Sequence, residues 1–167
     1  IRDSNTAREK INHEKLEKLL PKQKIYYVQA IDKSTNNPKP PTLLKDLPLT
    51  RTGQLPFSII LKEGCPIMVT SNHEKQRYKM DGIVNGAKGF IDSIQPSLED
   101  PDVAEVVWIK FADPKVGQLL RQDSFELLKF HKPNDKLAVP IVKTKKRFKI
   151  KGDKEYLINM FPLTIWY

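Results

Sequence analysis

A basic run from Lys143 to Lys151, in which charges alternate with Phe148 and Ile150, is the segment of this sequence best suited to bind phosphate groups. Side chains alternate between the two faces of a β-strand, so a strand here would direct the two apolar residues into a core. The cations on its other face would then suit the phosphates of a nucleic-acid backbone. The candidate contacts are Lys143, Lys145, Lys146, Arg147 and Lys149. The alternative is an edge strand that its lysines protect from aggregation.

A polar loop between Ser71 and Tyr78 is a second candidate for nucleic-acid binding. Asn72, Lys75 and Arg77 offer hydrogen-bond donors, and Tyr78 offers a ring on which a base could stack. The alternative is an ordinary polar loop whose tyrosine packs against the wall of the fold. Both interpretations stay open.

A tight turn is predicted at Asn85-Gly86, because both residue types tolerate positive φ. Gly89, three residues later, suggests a second position where the backbone is crowded. We treat Gly86 and Gly89 as structural. Asn85 and Lys88, at the same turn, join the candidate nucleic-acid contacts.

No catalytic or metal site is predicted. A Gly-x-x-x-x-Gly-Lys-Ser/Thr phosphate loop is absent from the sequence, so it offers no recognisable place for the phosphates of ATP. The acidic turn at residues 99–102 contains carboxylates without a histidine partner, and His13, His73 and His131 are scattered. Cys65 is the only cysteine, which excludes an internal disulfide and favours a reducing compartment.

The elements that must position these residues begin with a helix and a strand. Residues 6–9 form a capping box, and apolar residues at helical spacing follow until Pro21 ends the predicted helix. A β-rich run from Ile25 to Ile31 comes next, completing a unit of the kind that builds an α/β sheet. Residues 32–56 are rich in proline and are expected to form an extended connection.

Short strands with little helix are predicted from residue 57 onward, which indicates a small β-barrel. The expected strands are Phe57 to Leu61, Pro66 to Thr70, Gly89 to Ile94, Val103 to Phe111 and Leu137 to Val142. Within Val103 to Phe111 the alternation of side chains is typical of a half-buried strand. Val116 to Phe130 fits either a short helix or an edge strand, and we leave it open.

The composition limits the classes of partner. The chain has 167 residues, 39% of them hydrophobic, enough for one domain or for a domain piece with an insertion. No apolar run approaches the roughly 18 to 20 residues that cross a bilayer, so no membrane partner is expected. The formal net charge of +9 favours a polyanion, nucleic acid before acidic membrane, although a basic protein without such a partner is also consistent with it.

The order of several short motifs resembles the petite-integration-frequency (PIF) type of ATP-dependent DNA helicase, a RecD-like group of superfamily 1. Residues 52–56 (Thr-Gly-Gln-Leu-Pro), followed by residues 61–72 (Leu-Lys-Glu-Gly-Cys-Pro-Ile-Met-Val-Thr-Ser-Asn), resemble the family's Gly-Leu-Pro turn and its Leu-Lys-x-Gly-x-Pro-Val-Met segment. Residues 83–89 are similar to its Val-Asn-Gly-x-x-Gly element, which opens an inserted Src-homology-3-like barrel. Residues 139–142 and 161–167 resemble strands that return to the motor domain.

The N-terminal segment also resembles this family, with one departure. Residues 5–12 are similar to the part of the second RecA-like domain where Thr-Asn opens a helix, but the order here is Asn-Thr. The ordered set covers nearly the whole chain, and residues 95–102 and 112–136 match least. We expect the chain to be a piece of a larger protein, because it begins at Ile1 instead of Met and ends within the mainly apolar run 161–167.

The resemblance implies an α/β fragment plus a mainly-β part: a partial RecA-like domain with an inserted small Src-homology-3-like β-barrel. Residues 1–31 would belong to the second motor domain, 32–56 to the connection, 57–156 to the barrel region and 157–167 to the return strand. The parent would be a 5′-to-3′ DNA helicase that uses ATP and Mg²⁺, both held outside this chain, and it would act in the nucleus or, alternatively, in a mitochondrion or a virus-infected cell. The implied partners are single-stranded DNA and the rest of the helicase motor.

Two other classes of function fit parts of the sequence. A stand-alone nucleic-acid-binding barrel without a motor explains the charge and the short strands but not the α/β-like ends. A protein-interaction barrel, whose proline-rich connection folds over its own groove, makes the basicity incidental.

Overall fold

In the computed structural model, residues 23–30, 55–56, 58–150 and 154–166 are described, with the backbone alone at 148–150 and 154–156. Three further positions, Lys10, Glu14 and Lys18, are helical and exposed. The rest of the predicted N-terminal helix, Ile31 and residues 32–54 of the proline-rich connection lie outside the described residues.

Nine strands and three short helical segments are described. The strands are β1 (Tyr26–Gln29), β2 (Ser58–Leu61), β3 (Pro66–Val69), β4 (Lys88–Pro96), β5 (Ala104–Phe111), β6 (Val139–Val142), β7 (Thr144–Ile150), β8 (Lys154–Met160) and β9 (Leu163–Ile165). The helices are α1 (Gln76–Met80), α2 (Gln118–Asp123) and a 3₁₀ helix (Phe125–Lys129). The prediction of a mixed but mainly β fold is confirmed.

The central element is a five-stranded antiparallel sheet in the order β6-β5-β4-β3-β9. Two antiparallel pairs, β1-β2 and β7-β8, accompany it. The described strand pairs do not close into a barrel, because β6 and β9 are the two ends of the ladder. Pro140 lies in the end strand β6, where its missing N–H removes no hydrogen bond from the interior of the sheet.

The main core lies between the sheet and the β1-β2 pair. It is built from apolar side chains of almost every described strand, among them Val28, Leu61, Ile67, Ile109 and Met160. Removal of such side chains from water is the largest favourable contribution to folding. Because β8 contributes Ile158 and Met160 to this core, the β7-β8 pair is fixed against the rest of the fold.

Strand β5 is buried on both faces, whereas its sequence pattern predicts a half-buried strand. Val107 and Ile109 enter the main core, but Val106 and Trp108 are equally buried in a second cluster with Ala138. Leu127 of the 3₁₀ helix packs against that cluster. The helical segment therefore covers a face that the sequence pattern assigns to solvent.

A β-bulge in β4 places Asp92 outside the regular pairing. Ile91 lies opposite Ile109 and Ser93 lies opposite Trp108, so Asp92 has no residue opposite it in β5. A bulge of this kind redirects a side chain away from the alternating pattern of the strand. Here it turns the Asp92 carboxylate toward the backbone of the segment before β6, where it accepts hydrogen bonds from the N–H groups of Asn134 and Asp135, both at 2.8 Å.

The structure decides the element type of residues 116–130, which the sequence leaves ambiguous, and it contains one strand that was not predicted. Residues 116–130 form α2 and the 3₁₀ helix, not an edge strand. Strand β8 was not predicted, and the boundary expected at residue 157 falls inside it. The segment interpreted as a return strand contains β9, which pairs with β3 at the end of the five-stranded sheet.

Candidate nucleic-acid interface

A groove of about 570 Å³ lies where the loop after β3 meets the junction of β6 and β7. Its floor includes Val69, Ile83 and Ile141, which belong to the main core. The helical segment forms one wall through Leu120 and Leu127. The groove is therefore open to solvent but stands on a packed base.

The loop on one side of this groove is held by three local hydrogen bonds. Asn72 accepts a bond at its Oδ1 from the N–H of Asn85 at 2.8 Å, which joins the loop to the predicted turn. The N–H of His73 donates to the carbonyl of Ile83 at 2.9 Å, and the N–H of Lys75 donates to Nδ1 of His73 at 3.0 Å. These bonds fix the backbone from which Lys75 projects.

Lysines from two distant parts of the sequence meet in the groove. Lys75 reaches it from the loop, and Lys143 and Lys145 reach it from the start of β7. The ammonium of Lys143 lies 5.6 Å from the centre of the Phe161 ring, a cation–π arrangement that orients this side chain. The two segments that the sequence singled out as basic thus line one concave surface.

Strand β7 extends the positive charge beyond the groove. Lys145 and Arg147 are exposed, whereas Thr144 and Lys146 are partly buried, so the described part of β7 alternates as a strand should. Lys146 lies opposite the buried Ile158 and forms an ion pair of 3.9 Å with Glu74. The backbone of Lys149 pairs with Glu155, and the side chains of Phe148, Lys149 and Ile150 lie outside those described.

The two carboxylates that line the groove both have basic neighbours. Glu74 pairs with Lys146, and Asp123 pairs with Arg77 at 2.9 Å and accepts a bond of 2.8 Å from the hydroxyl of Tyr78. The bonds from Arg77 and Tyr78 hold the pKa of Asp123 below its usual range, and the bond to Asp123 raises the pKa of Tyr78. The guanidinium of Arg77 is therefore paired within the protein, and Arg77 is not among the residues lining the groove.

Tyr78 is packed against the main core and meets the ring of His73 edge-on, with 5.0 Å between the centroids. It thus takes the position that the alternative interpretation gives it, on the wall of the fold. Burial lowers the pKa of His73, with Lys75 adding to the effect and Glu74 opposing it. A neutral His73 leaves the positive charge of the groove to its lysines.

Four further candidate residues lie at the turn after α1. The carbonyl of Val84 accepts a bond from the N–H of Ala87, closing a turn in which Gly86 has φ of 97°. A Cβ at Gly89 would lie 2.5 Å from the carbonyl oxygen of Lys110. Lys88 does not line the groove, since its ammonium lies 3.8 Å from the centre of the Trp166 ring.

The wall contributed by α2 and the 3₁₀ helix was missed from sequence. Asp123, Ser124 and Leu127 line the groove, yet they belong to a segment whose element type was ambiguous. An acidic residue opposite a basic loop was a possible signal, but the pairing of Arg77 with Asp123 spans 46 positions and only the folded chain brings the two together.

The described residues contain no cluster of three or more His, Cys, Asp or Glu placed to hold a metal ion. Cys65 is buried, and burial raises the pKa of its thiol to about 11, which suppresses the nucleophilic thiolate. In this part of the chain no helix is both long and apolar enough to span a bilayer.

Comparisons with known proteins give structural matches alone. No family model matches the sequence, and no curated protein matches it. A structure of two coordinating Pif1 helicases, described in connection with DNA unwinding at forked double-stranded DNA, matches 93% of this chain at 15% identity and a TM-score of 0.45. Unliganded Pif1 from Bacteroides sp. matches 93% at 15% identity and 0.41, and the Pif1 helicase of Candida albicans matches 96% at 12% identity and 0.47.

The chain spans 26%, 28% and 33% of those three solved chains, respectively. Over 93–96% of its length, this chain is similar to a part of Pif1 helicases.

Proposed function

We propose that this chain is a piece of a PIF-type DNA helicase and that it binds single-stranded DNA along the groove and the exposed face of β7. The observation that carries the proposal is the meeting of Lys75 with Lys143 and Lys145 on one concave surface. Lysines that displace counterions from phosphates contribute favourably to binding. Lys145 and Arg147, both exposed in β7, continue the same track.

The helicase part of the proposal is supported by the order of short motifs along the sequence. Within residues 61–72, the Pro-x-Met segment lies in β3, and Asn72 is the last residue of the motif. Residues 83–89 contain the turn to which Asn72 is hydrogen-bonded. In the proposal, the described strands within residues 57–156 correspond to the barrel region inserted into the second motor domain. The segment 157–167, which contains β9, then couples this DNA-binding part to the motor.

The nucleotide belongs elsewhere in the parent enzyme. The sequence has no phosphate loop, and the described residues offer no acidic cluster for a metal ion, so the residues present do not fit ATP or Mg²⁺. We assign both to the remainder of the helicase and expect the parent to act in the nucleus. This chain alone is expected to bind DNA without hydrolysing ATP.

The test is the salt dependence of binding to a fluorescent thymidine oligonucleotide, measured by anisotropy. We expect Lys75→Ala/Lys143→Ala/Lys145→Ala to weaken binding and to flatten the plot of log K against log salt. Loss of three phosphate contacts corresponds to a change in slope of about 2 on single strands.

The matched control removes the same charge from exposed lysines outside the groove, Lys79→Ala/Lys115→Ala/Lys129→Ala. We expect this control to keep most of the wild-type slope. Equal losses in the two triple variants would mean that binding follows net charge alone, and the groove would lose its assignment.

A further inference from the structure

A second cavity, of about 440 Å³, is lined by side chains of β5, α2, the 3₁₀ helix and the segment before β6. Trp108 and Ala138 of the second apolar cluster contribute to its lining, as do Leu128 and Pro133. Three cations, Arg121, Lys132 and Lys136, complete it together with Asn134. None of these residues lines the lysine groove.

The segment around this cavity is held in place before any partner arrives. The carboxylate of Asp92 accepts bonds from the N–H groups of Asn134 and Asp135, both at 2.8 Å, and the carbonyl of Asp92 accepts one from Nδ2 of Asn134 at 2.9 Å. Asp135 forms an ion pair of 2.8 Å with Lys110, which lowers the pKa of Asp135. A preformed site loses little conformational entropy on binding.

Three contacts fix the walls themselves. His131 stacks on Trp108 with 5.8 Å between the ring centroids, and its Nε2 lies 2.8 Å from the hydroxyl of Ser93. Arg121 donates from Nη1 to the carbonyl of Leu137 at 3.0 Å, which ties α2 to the segment before β6. These contacts join the segment before β6 to β5 through His131 and to α2 through Arg121.

An apolar strip leads into the cavity along the 3₁₀ helix. Leu128 lines the cavity and is 51% exposed, and Phe125 is 63% exposed. Side chains three residues apart are aligned in a 3₁₀ helix, so these two lie on one face. Exposed apolar side chains next to a cavity are typical of binding surfaces.

The charge around the cavity has one sign. Its described lining residues include three cations and no carboxylate, and Asp135, close by in sequence, is paired with Lys110. A partner with negative charge and an apolar anchor would complement this surface on both counts.

We propose that this cavity binds an acidic peptide segment of a partner protein, which inserts one apolar side chain against Leu128 and Pro133. Its carboxylates then face Arg121, Lys132 and Lys136. A peptide fits better than a nucleic acid because Trp108 is 1% exposed and already stacked by His131, so the cavity presents no open aromatic plane to a base. This binding is separate from the DNA contact proposed for the lysine groove.

The test uses the chain and a fluorescein-labelled synthetic peptide in which glutamates flank a Leu-Phe pair. We expect saturable binding that weakens by at least about tenfold in Leu128→Glu and in Lys132→Glu/Lys136→Glu. The matched controls are Leu98→Glu, at a more exposed leucine elsewhere, and Lys79→Glu/Lys115→Glu, and we expect changes below about twofold. All substituted side chains are exposed, so the native tryptophan fluorescence should be kept.

Two results would overturn the proposal. The first is peptide binding that is absent, or that falls equally in the cavity variants and in their controls. The second is a thymidine oligonucleotide whose binding is lost in Leu128→Glu while the peptide does not bind, since the cavity would then belong to nucleic acid. Loss of oligonucleotide binding in the lysine-groove variant alone would support the DNA contact proposed for that groove and would show that the two sites are separate.

Discussion

At the residue scale, Gly86 and Gly89 are needed for two different physical reasons. Gly86 has φ of 97°, a backbone conformation that other L-residues adopt at a cost, but a Cβ there would meet nothing within 4 Å. At Gly89 no positive φ is involved. A Cβ there would lie 2.5 Å from the carbonyl oxygen of Lys110 and 2.9 Å from Cα of Phe111, both of them backbone atoms.

Alanine substitution should separate these two reasons. We expect Gly86→Ala to lower the free energy of unfolding by about 1–2 kcal/mol, the cost of a left-handed backbone. Gly89→Ala should cost about 3 kcal/mol or more, because strands β4 and β5 must move apart to admit the methyl group. Urea unfolding followed by tryptophan fluorescence measures both. Equal midpoints, or a larger loss in Gly86→Ala, would show that β4 and β5 are not packed as described.

At the element scale, the bulge in β4 organises the segment that precedes β6. Asp92, which the bulge leaves unpaired, takes hydrogen bonds from two backbone N–H groups there and a third from the hydroxyl of Ser93 at 3.0 Å. Bonds to a charged acceptor are stronger than bonds between neutral groups. One side chain therefore sets the shape of the second cavity and the position of His131.

We expect Asp92→Ala to destabilise the fold by about 2–3 kcal/mol, since it removes a charged acceptor from two part-buried donors, the N–H of Asp135 and the hydroxyl of Ser93. The amides of Asn134 and Asp135 should also exchange with solvent much faster. The control is Asp113→Ala, because the carboxylate of Asp113 accepts a hydrogen bond from the backbone N–H of Lys115 on an exposed turn. We expect this control to destabilise the fold by about 0.5–1 kcal/mol. Unchanged exchange at residues 134 and 135 would contradict the role given to Asp92.

The strands were largely predictable from sequence, and the helical wall was not. Short β-rich runs bounded by turn residues place β1 to β7 within two residues, because period-two alternation and Gly or Pro boundaries are local signals. Residues 116–130 carry leucines at spacings that suit either element type, and the choice depends on the Trp108 face that they cover. Strand β8 carries a local signal of the same kind, because Ile158 and Met160 are two positions apart, as on one face of a strand.

In the candidate site, too, residues with a local sequence signal were predictable and tertiary pairings were not. Lys75, Lys143 and Lys145 were found from sequence because dense charge beside β-forming residues is visible there. The pairing of Arg77 with Asp123 and the stacking of Lys88 on Trp166 depend on residues 46 and 78 positions away, so no local pattern reveals them.

At the scale of the whole molecule, a net charge of +9 is divided among structural pairs and available cations. Lys24 forms an ion pair of 2.8 Å with Asp102, which occupies the acidic turn, and Lys110 is paired with Asp135. Lys75, Lys143 and Lys145 instead line an open groove, and a separate trio of cations surrounds the second cavity. Among the described residues, these two surfaces thus each bring three cations together, and we assign them to different partners.

The most direct measurement is acetylation footprinting of the lysines, read by mass spectrometry with and without a thymidine oligonucleotide. We expect strong protection of Lys75, Lys143 and Lys145, with Lys79, Lys115 and Lys129 modified equally in both samples. Protection spread evenly over all lysines, or confined to lysines outside the groove, would contradict the assignment of this surface to single-stranded DNA.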